Sequence, residues 1–177
     1  MKLMVVDDFF TNFYIIKDEF KKIKRYPSET HPELKGMQTE KHWPGERSED
    51  LKFSNRFLTA LFLNEFRSKF NNFFTEDVDL RLYTHLRLEE DDEKDFIHTD
   101  SPDAYYSMLV YLSDTNFKSG TAMYEPLENN LITDIKFVQN RAVIFNSLYP
   151  HKSIGCHGSD ENNGRLTLNA FWQKRQK

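Results

Sequence analysis

Positions 78 to 88 constrain the fold of this chain more than any other stretch. Val78, Leu80, Leu82, Leu86 and Leu88 fall on even numbers, and Asp79, Arg81, Tyr83, His85 and Arg87 on odd ones. A period of two is the mark of a β-strand with one apolar face. The polar face of such a strand normally meets water, but in a barrel or jelly roll it can line a ligand cavity. Further short strands are expected at Tyr105 to Leu112, Thr121 to Tyr124, Ile132 to Val138, Arg141 to Asn146, His151 to Gly155 and Arg165 to Trp172. Asn, Asp, Gly and Ser fill the turns between them, as hairpins require.

The first part of the chain reads differently. A short strand, Lys2 to Val6, precedes a helix that Thr11 can cap, with Phe13, Ile16, Phe20 and Ile23 at helical spacing. Tyr26 to Ser54 shows no clear period and reads as a long loop. A second helix, from about Asn55 to Phe73, aligns Leu58, Leu61, Phe62, Phe66 and Phe70 on one side. Helices followed by a run of strands predict an antiparallel double sheet with the helices packed outside. We therefore expect a mainly β fold with N-terminal helices, a double-stranded β-helix or jelly roll. It forms a single domain over 1–177, with helical support at about 11–73 and a jelly-roll core at about 78–172.

Composition narrows the function. With 177 residues the chain can bury a core unaided, and a net charge of −4 argues against a general nucleic-acid binder. Cys156 is the only cysteine, so no intrachain disulfide and no all-cysteine metal site can form. That suits a reducing, cytoplasmic setting. Asp7 and Asp8 interrupt the apolar start, which excludes a signal-peptide core, and no apolar run is long enough to span a membrane.

The chemistry concentrates late in the chain. In His98-Thr99-Asp100 the imidazole and the carboxylate, two residues apart in an extended segment, point the same way. A second histidine from a distant strand would complete two imidazoles and one carboxylate on one face of an ion. Fe(II) held in that way keeps its opposite positions open. A lone His-x-Asp recurs by chance, so its weight comes from context. His151 stands where a strand begins, after Arg141-Ala142-Val143-Ile144-Phe145 and a turn; His157, nearer the next turn, is its rival. On the last strand Arg165, Thr167, Asn169 and Phe171 share a face. An arginine heading a polar inward face implies a carboxylate partner, and an exposed edge arginine is the alternative.

From Val5 to Trp172 the chain resembles the 2-oxoglutarate/Fe(II) oxygenase superfamily, in particular its prolyl-hydroxylase-like branch, and is similar to bacterial and phage members of it. The likeness rests on Val5-Val6-Asp7-Asp8-Phe9-Phe10 before a helix and on the His98-x-Asp100 pair. It also rests on Leu109-Val110-Tyr111-Leu112-Ser113 with Gly120-Thr121-Ala122-Met123-Tyr124, and on the strand leading to His151. The resemblance implies Fe(II) held by His98, Asp100 and His151, with 2-oxoglutarate and O2 as co-substrates. It implies that Arg165 receives the far carboxylate of 2-oxoglutarate, helped by Thr167 and Tyr83. The branch often has lysine where this chain has Arg165, and usually a shorter gap than the 165 − 151 = 14 positions here. The substrate it implies is a protein or peptide side chain, with proline as one candidate, or an amino acid or other small molecule. A non-catalytic jelly-roll binding module, or a cupin-type metal protein indifferent to 2-oxoglutarate, are the alternatives.

Three features stay open at this level. His85 shares a face with Tyr83 and either lines the pocket or is a hydrogen-bonded structural histidine. Trp43-Pro44-Gly45-Glu46-Arg47-Ser48 is similar to a proline-glycine-x-arginine segment of the same relatives and also reads as a turn with a structural arginine. The acidic run Glu89-Glu90-Asp91-Asp92-Glu93, with Asp95, is either a solvated loop or a mobile lid whose field favours a basic substrate.

Overall fold

The computed structural model describes residues 3–35, 43–71, 73 and 78–175. His42, Thr75, the middle of the expected 26–54 loop and the last two residues lie outside them. The elements are β1 (Leu3–Val6), α1 (Phe13–Lys21), β2 (Tyr26–Pro27), β3 (Glu46–Arg47), α2 (Leu51–Ser54), α3 (Arg56–Lys69), β4 (Val78–Arg87), β5 (Ala104–Tyr111), β6 (Asn116–Tyr124), β7 (Leu131–Phe137), β8 (Ala142–Asn146), β9 (His151–Ile154) and β10 (Arg165–Lys174). Short 3-10 turns occupy Ser28–Thr30, Pro32–Leu34 and Glu89–Asp91.

The strands form two antiparallel sheets. A seven-stranded sheet runs β1-β8-β5-β10-β4-β3-β2, and a three-stranded sheet runs β7-β6-β9. The period of two in β4 becomes a division of labour. Leu80, Leu82 and Leu86 face the helices, where they pack with Leu166, Leu168, Ala170 and Trp172 of β10 and with Phe20, Phe62 and Phe66 of α1 and α3. Tyr83, His85 and Arg87 face the other way, registered against Asn169, Thr167 and Arg165. A second, smaller core of Tyr111, Met123, Ile135, Phe137, Val143 and Phe145 fills the space on that inner side.

Two local expectations are corrected. Thr11 does not cap α1: Asn12 holds the cap position without a side-chain bond, and the Thr11 hydroxyl and amide donate to Glu65 of α3 instead. The expected loop at 26–54 contains β2, β3 and α2 among its described residues. β3 pairs with β4 through Glu46↔Leu86 and Arg47↔His85, so it extends the large sheet. Two-residue strands are too short to show a period, which is why the sequence reads them as loop.

Candidate active site

His98 and His151 meet backbone to backbone. The His98 amide donates to the His151 carbonyl at 3.0 Å, and the His151 amide returns the bond at 2.8 Å. This isolated bridge carries the segment before β5 onto the start of β9. The Asp100 amide donates to the Ser147 carbonyl at 2.9 Å, which fixes the carboxylate beside the two rings. One ligand atom from each of His98, Asp100 and His151 lies within 4.8 Å of the others, and among the described residues this is the one such group of three.

The ring orientations suit a metal. His98 Nδ1 donates to the Phe96 carbonyl and His151 Nδ1 to the Tyr149 carbonyl, each at 2.9 Å. Both bonds fix the tautomer that leaves Nε2 as a free lone pair, the usual support for a metal-bound imidazole. Burial and the neighbouring His151 lower the His98 pKa, which favours the neutral ring a metal needs. Asp100 Oδ2 lies 3.6 Å from His151 Nε2 and accepts from the Ser107 hydroxyl, which in turn contacts Ser147 Oγ at 2.9 Å. Ser107 and Ser147 are missed by motif reading. Their only signal is a serine at an inward position of β5 and one in the turn before His151.

Arg165 lies in the same chamber, with Thr167 and Asn169, and is almost fully buried. The carboxylate partner implied by its inward face is absent among the described residues. Its NH2 donates to the Gly120 carbonyl at 3.2 Å, its Nε has no partner, and its guanidinium stands 5.4 Å from the Phe137 ring centroid and 5.8 Å from that of Tyr111. Burial lowers its pKa. Arg87 is its direct cross-strand neighbour, and like charges so opposed repel. Arg87 is neutralised by Asp95. At Arg165 the chamber therefore keeps a buried positive charge without a counter-ion, a site that favours an anion.

Of the other expected site residues, Tyr83 falls elsewhere. The Tyr83 hydroxyl donates to Glu33 Oε2 at 3.2 Å in an outer cleft, not to the neighbourhood of Arg165. Tyr111 is the phenol beside Arg165, its hydroxyl donating to Thr121 Oγ1 at 2.8 Å. Thr167 Oγ1 donates to Asn169 Oδ1 at 2.7 Å. His157 sits edge-on to Phe137, away from His98 and Asp100, and lies outside the group of three. His85 lines the chamber and donates from Nε2 to the Pro44 carbonyl at 2.8 Å. The acidic run is tied down: Asp91, Asp92 and Asp95 accept from the amides of Leu88, Cys156 and Ser153 at 2.9, 2.9 and 2.8 Å. Glu89, Glu90 and Glu93 are left exposed.

No family model matches the chain, and no curated protein matches it by sequence. Solved structures do match its fold. HygX from Streptomyces hygroscopicus, with nickel and 2-oxoglutarate bound, superposes with a TM-score of 0.68 at 14% identity, over 97% of this chain and 82% of that one. A Pseudomonas putida prolyl-4-hydroxylase gives 0.63 at 14% identity over 98% and 92%. The viral collagen prolyl hydroxylase of Paramecium Bursaria Chlorella virus-1, a 2-oxoglutarate complex, gives 0.63 at 12% over 98% and 96%. The chain thus has the double-stranded β-helix fold of the 2-oxoglutarate/Fe(II) oxygenases.

Proposed function

We propose that this chain is a non-haem Fe(II) oxygenase that uses 2-oxoglutarate and O2 to hydroxylate an unactivated C–H bond of a protein or peptide side chain, proline included, or of an amino acid. One observation carries the reading. Two imidazoles and a carboxylate converge in a chamber whose opposite wall holds a buried guanidinium with no carboxylate partner among the described residues. The solved structures of like fold support it, HygX with nickel and 2-oxoglutarate bound and the viral hydroxylase with 2-oxoglutarate. A cupin-type or purely binding jelly roll leaves the lone charge of Arg165 without a purpose.

The residues divide the work as follows. His98 and His151 would hold the iron through Nε2, and Asp100 through its carboxylate, whose Oδ2 lies beside His151 Nε2. Bound Fe(II) supplies open coordination positions and the redox chemistry of C–H oxidation. The balance is R–H + 2-oxoglutarate + O2 → R–OH + succinate + CO2. Arg165 would receive the far carboxylate of 2-oxoglutarate by a charge-assisted pair, with Thr167 and Tyr111 beside it. Burial in aromatic walls strengthens that attraction and keeps water from the reacting centre. The chamber is narrow, ≈ 40 Å³, room for roughly three waters. Binding a five-carbon dicarboxylate therefore requires long wall side chains to rotate. At the level of the whole chain, no helix among the described residues is long and apolar enough to cross a membrane. A cytoplasmic location is the setting we propose.

Anaerobic titration of the Fe(II) protein with 2-oxoglutarate tests the reading. A visible charge-transfer band should grow to saturation. Arg165→Gln should retain iron while shifting the titration by about 30- to 4,000-fold, the size of losing one partner of a desolvated charge pair. Absence of a band in the wild type would return the chain to the cupin-type or binding-module alternatives.

A further inference from the structure

Arg47 borders the chamber but has been given no role so far. It sits on β3, and its side chain lines both the metal chamber and an outer cleft of ≈ 740 Å³. Gly45 delivers it there. With φ at +78° and the Leu86 carbonyl 2.3 Å from where a Cβ would be, Gly45 allows the chain to press onto β4 as no other residue would. The guanidinium then lies 4.3 Å from the Trp43 ring centroid and 5.2 Å from that of Tyr83. Burial lowers its pKa to about 10.

Its partners are missing. Arg47 Nε is enclosed and has no acceptor, and the same is true of Nε1 of the adjoining Trp43. No carboxylate among the described residues pairs with Arg47. Both groups are donors only, and the acceptor they lack is not supplied by the described residues. The other charges of the cleft are largely settled. Arg81 pairs with Glu33 at 3.0 Å and with Asp50 at 3.4 Å. Glu49, also on the cleft wall, has no ion pair among the described residues. The cleft is left with one unmatched cation that also borders the metal chamber and one unmatched carboxylate on its wall.

From this arrangement we infer that the outer cleft takes a free α-amino acid as primary substrate, its carboxylate on Arg47 and Trp43 Nε1 and its ammonium toward Glu49. The inference rests on the oxygenase reading and narrows it, because a peptide interior offers neither charge. A carboxylate at Arg47 is anchored at the seam between cleft and chamber, which leaves the side chain to enter the chamber toward the metal ligands.

The test uses the anaerobic Fe(II) protein with 2-oxoglutarate and, as probes, the twenty free proteinogenic L-amino acids, followed by calorimetry. At least one should bind. Its carboxamide should bind about 10- to 150-fold more weakly, the worth of a hydrogen-bonded charge. Arg47→Gln should erase that acid-against-amide difference while keeping the 2-oxoglutarate band, which also certifies its fold. Three results would overturn the inference: no amino acid binds, acid and amide bind the wild type equally, or Arg47→Gln abolishes the band and so makes Arg47 a co-substrate residue. Absence of the band in the wild type itself would sink the oxygenase reading instead. Calorimetry reports amino-acid binding in either case.

Discussion

At the scale of single residues, placement rather than identity separates the histidines. His151 stands opposite His98 in a backbone bridge, whereas His157 rests against Phe137. Replacing His151 by Ala should therefore abolish stoichiometric Fe(II) binding, and replacing His157 should leave it intact; metal analysis after anaerobic loading decides between them. His85 offers a different test. Its burial, with Arg87 and Arg47 nearby, depresses its pKa well below 6.5. The folded ring stays neutral while the unfolded one takes up a proton below about pH 6.5. Its contribution is thus fully present above that pH and is lost as the pH falls toward the depressed folded value. Between pH 7.5 and 5, denaturant-derived stability of the wild type should fall more steeply than that of His85→Gln. The difference in slope is at most about 1.4 kcal/mol per pH unit. Parallel profiles would mean that the folded ring takes up a proton as readily as the unfolded one. His98 and Asp100 were legible in sequence because two residues of an extended segment share a side. The supposed carboxylate partner of Arg165 was not, since local pattern says that an arginine is inward but not what faces it.

At the scale of elements, the acidic segment between β4 and β5 shows how charge composition misleads. Clustered carboxylates without apolar anchors read as a solvated loop or a mobile lid. In the fold three of them act as hydrogen-bond acceptors for backbone amides, and the amides of Ser153 and Cys156 lie 58 and 64 residues away from their acceptors. No window of sequence contains such a contact. Asp95 and Arg87 form an ion pair with 1% and 7% of their side chains exposed. Removing one partner of a buried pair strands the other, at a cost of roughly 3–5 kcal/mol. Asp95→Asn should destabilise the protein by that order in equilibrium unfolding, and the Ser153 amide should lose hydrogen-exchange protection. Strong protection of Ser153 and Cys156 in the wild type, unchanged by substrate, would mark the segment as a fixed wall. The short strand β3 escaped the sequence for the opposite reason: it is ordered by pairing with β4 and β2, and two residues carry no rhythm of their own.

At the scale of the molecule, the large sheet separates two kinds of selection. One side of β4 and β10 answers to the helices and the other to the chamber, because neighbouring side chains alternate. A missing residue in the middle of β4 would exchange the two sides beyond it, pointing leucines at the metal ligands and His85 and Arg87 at the phenylalanines. A missing pair would only shorten the strand. Tolerance to deletion should therefore beat in twos: a deletion scan of β4, read by iron retention and soluble yield, should find paired removals repeatedly milder than single ones. Equal damage from both would mean that the sheet re-registers freely. For anyone reshaping the chamber, this sets the grammar of change: odd positions of β4 other than Arg87, which is tied to Asp95, can be rewritten one at a time for chemistry, while length is altered only in even steps.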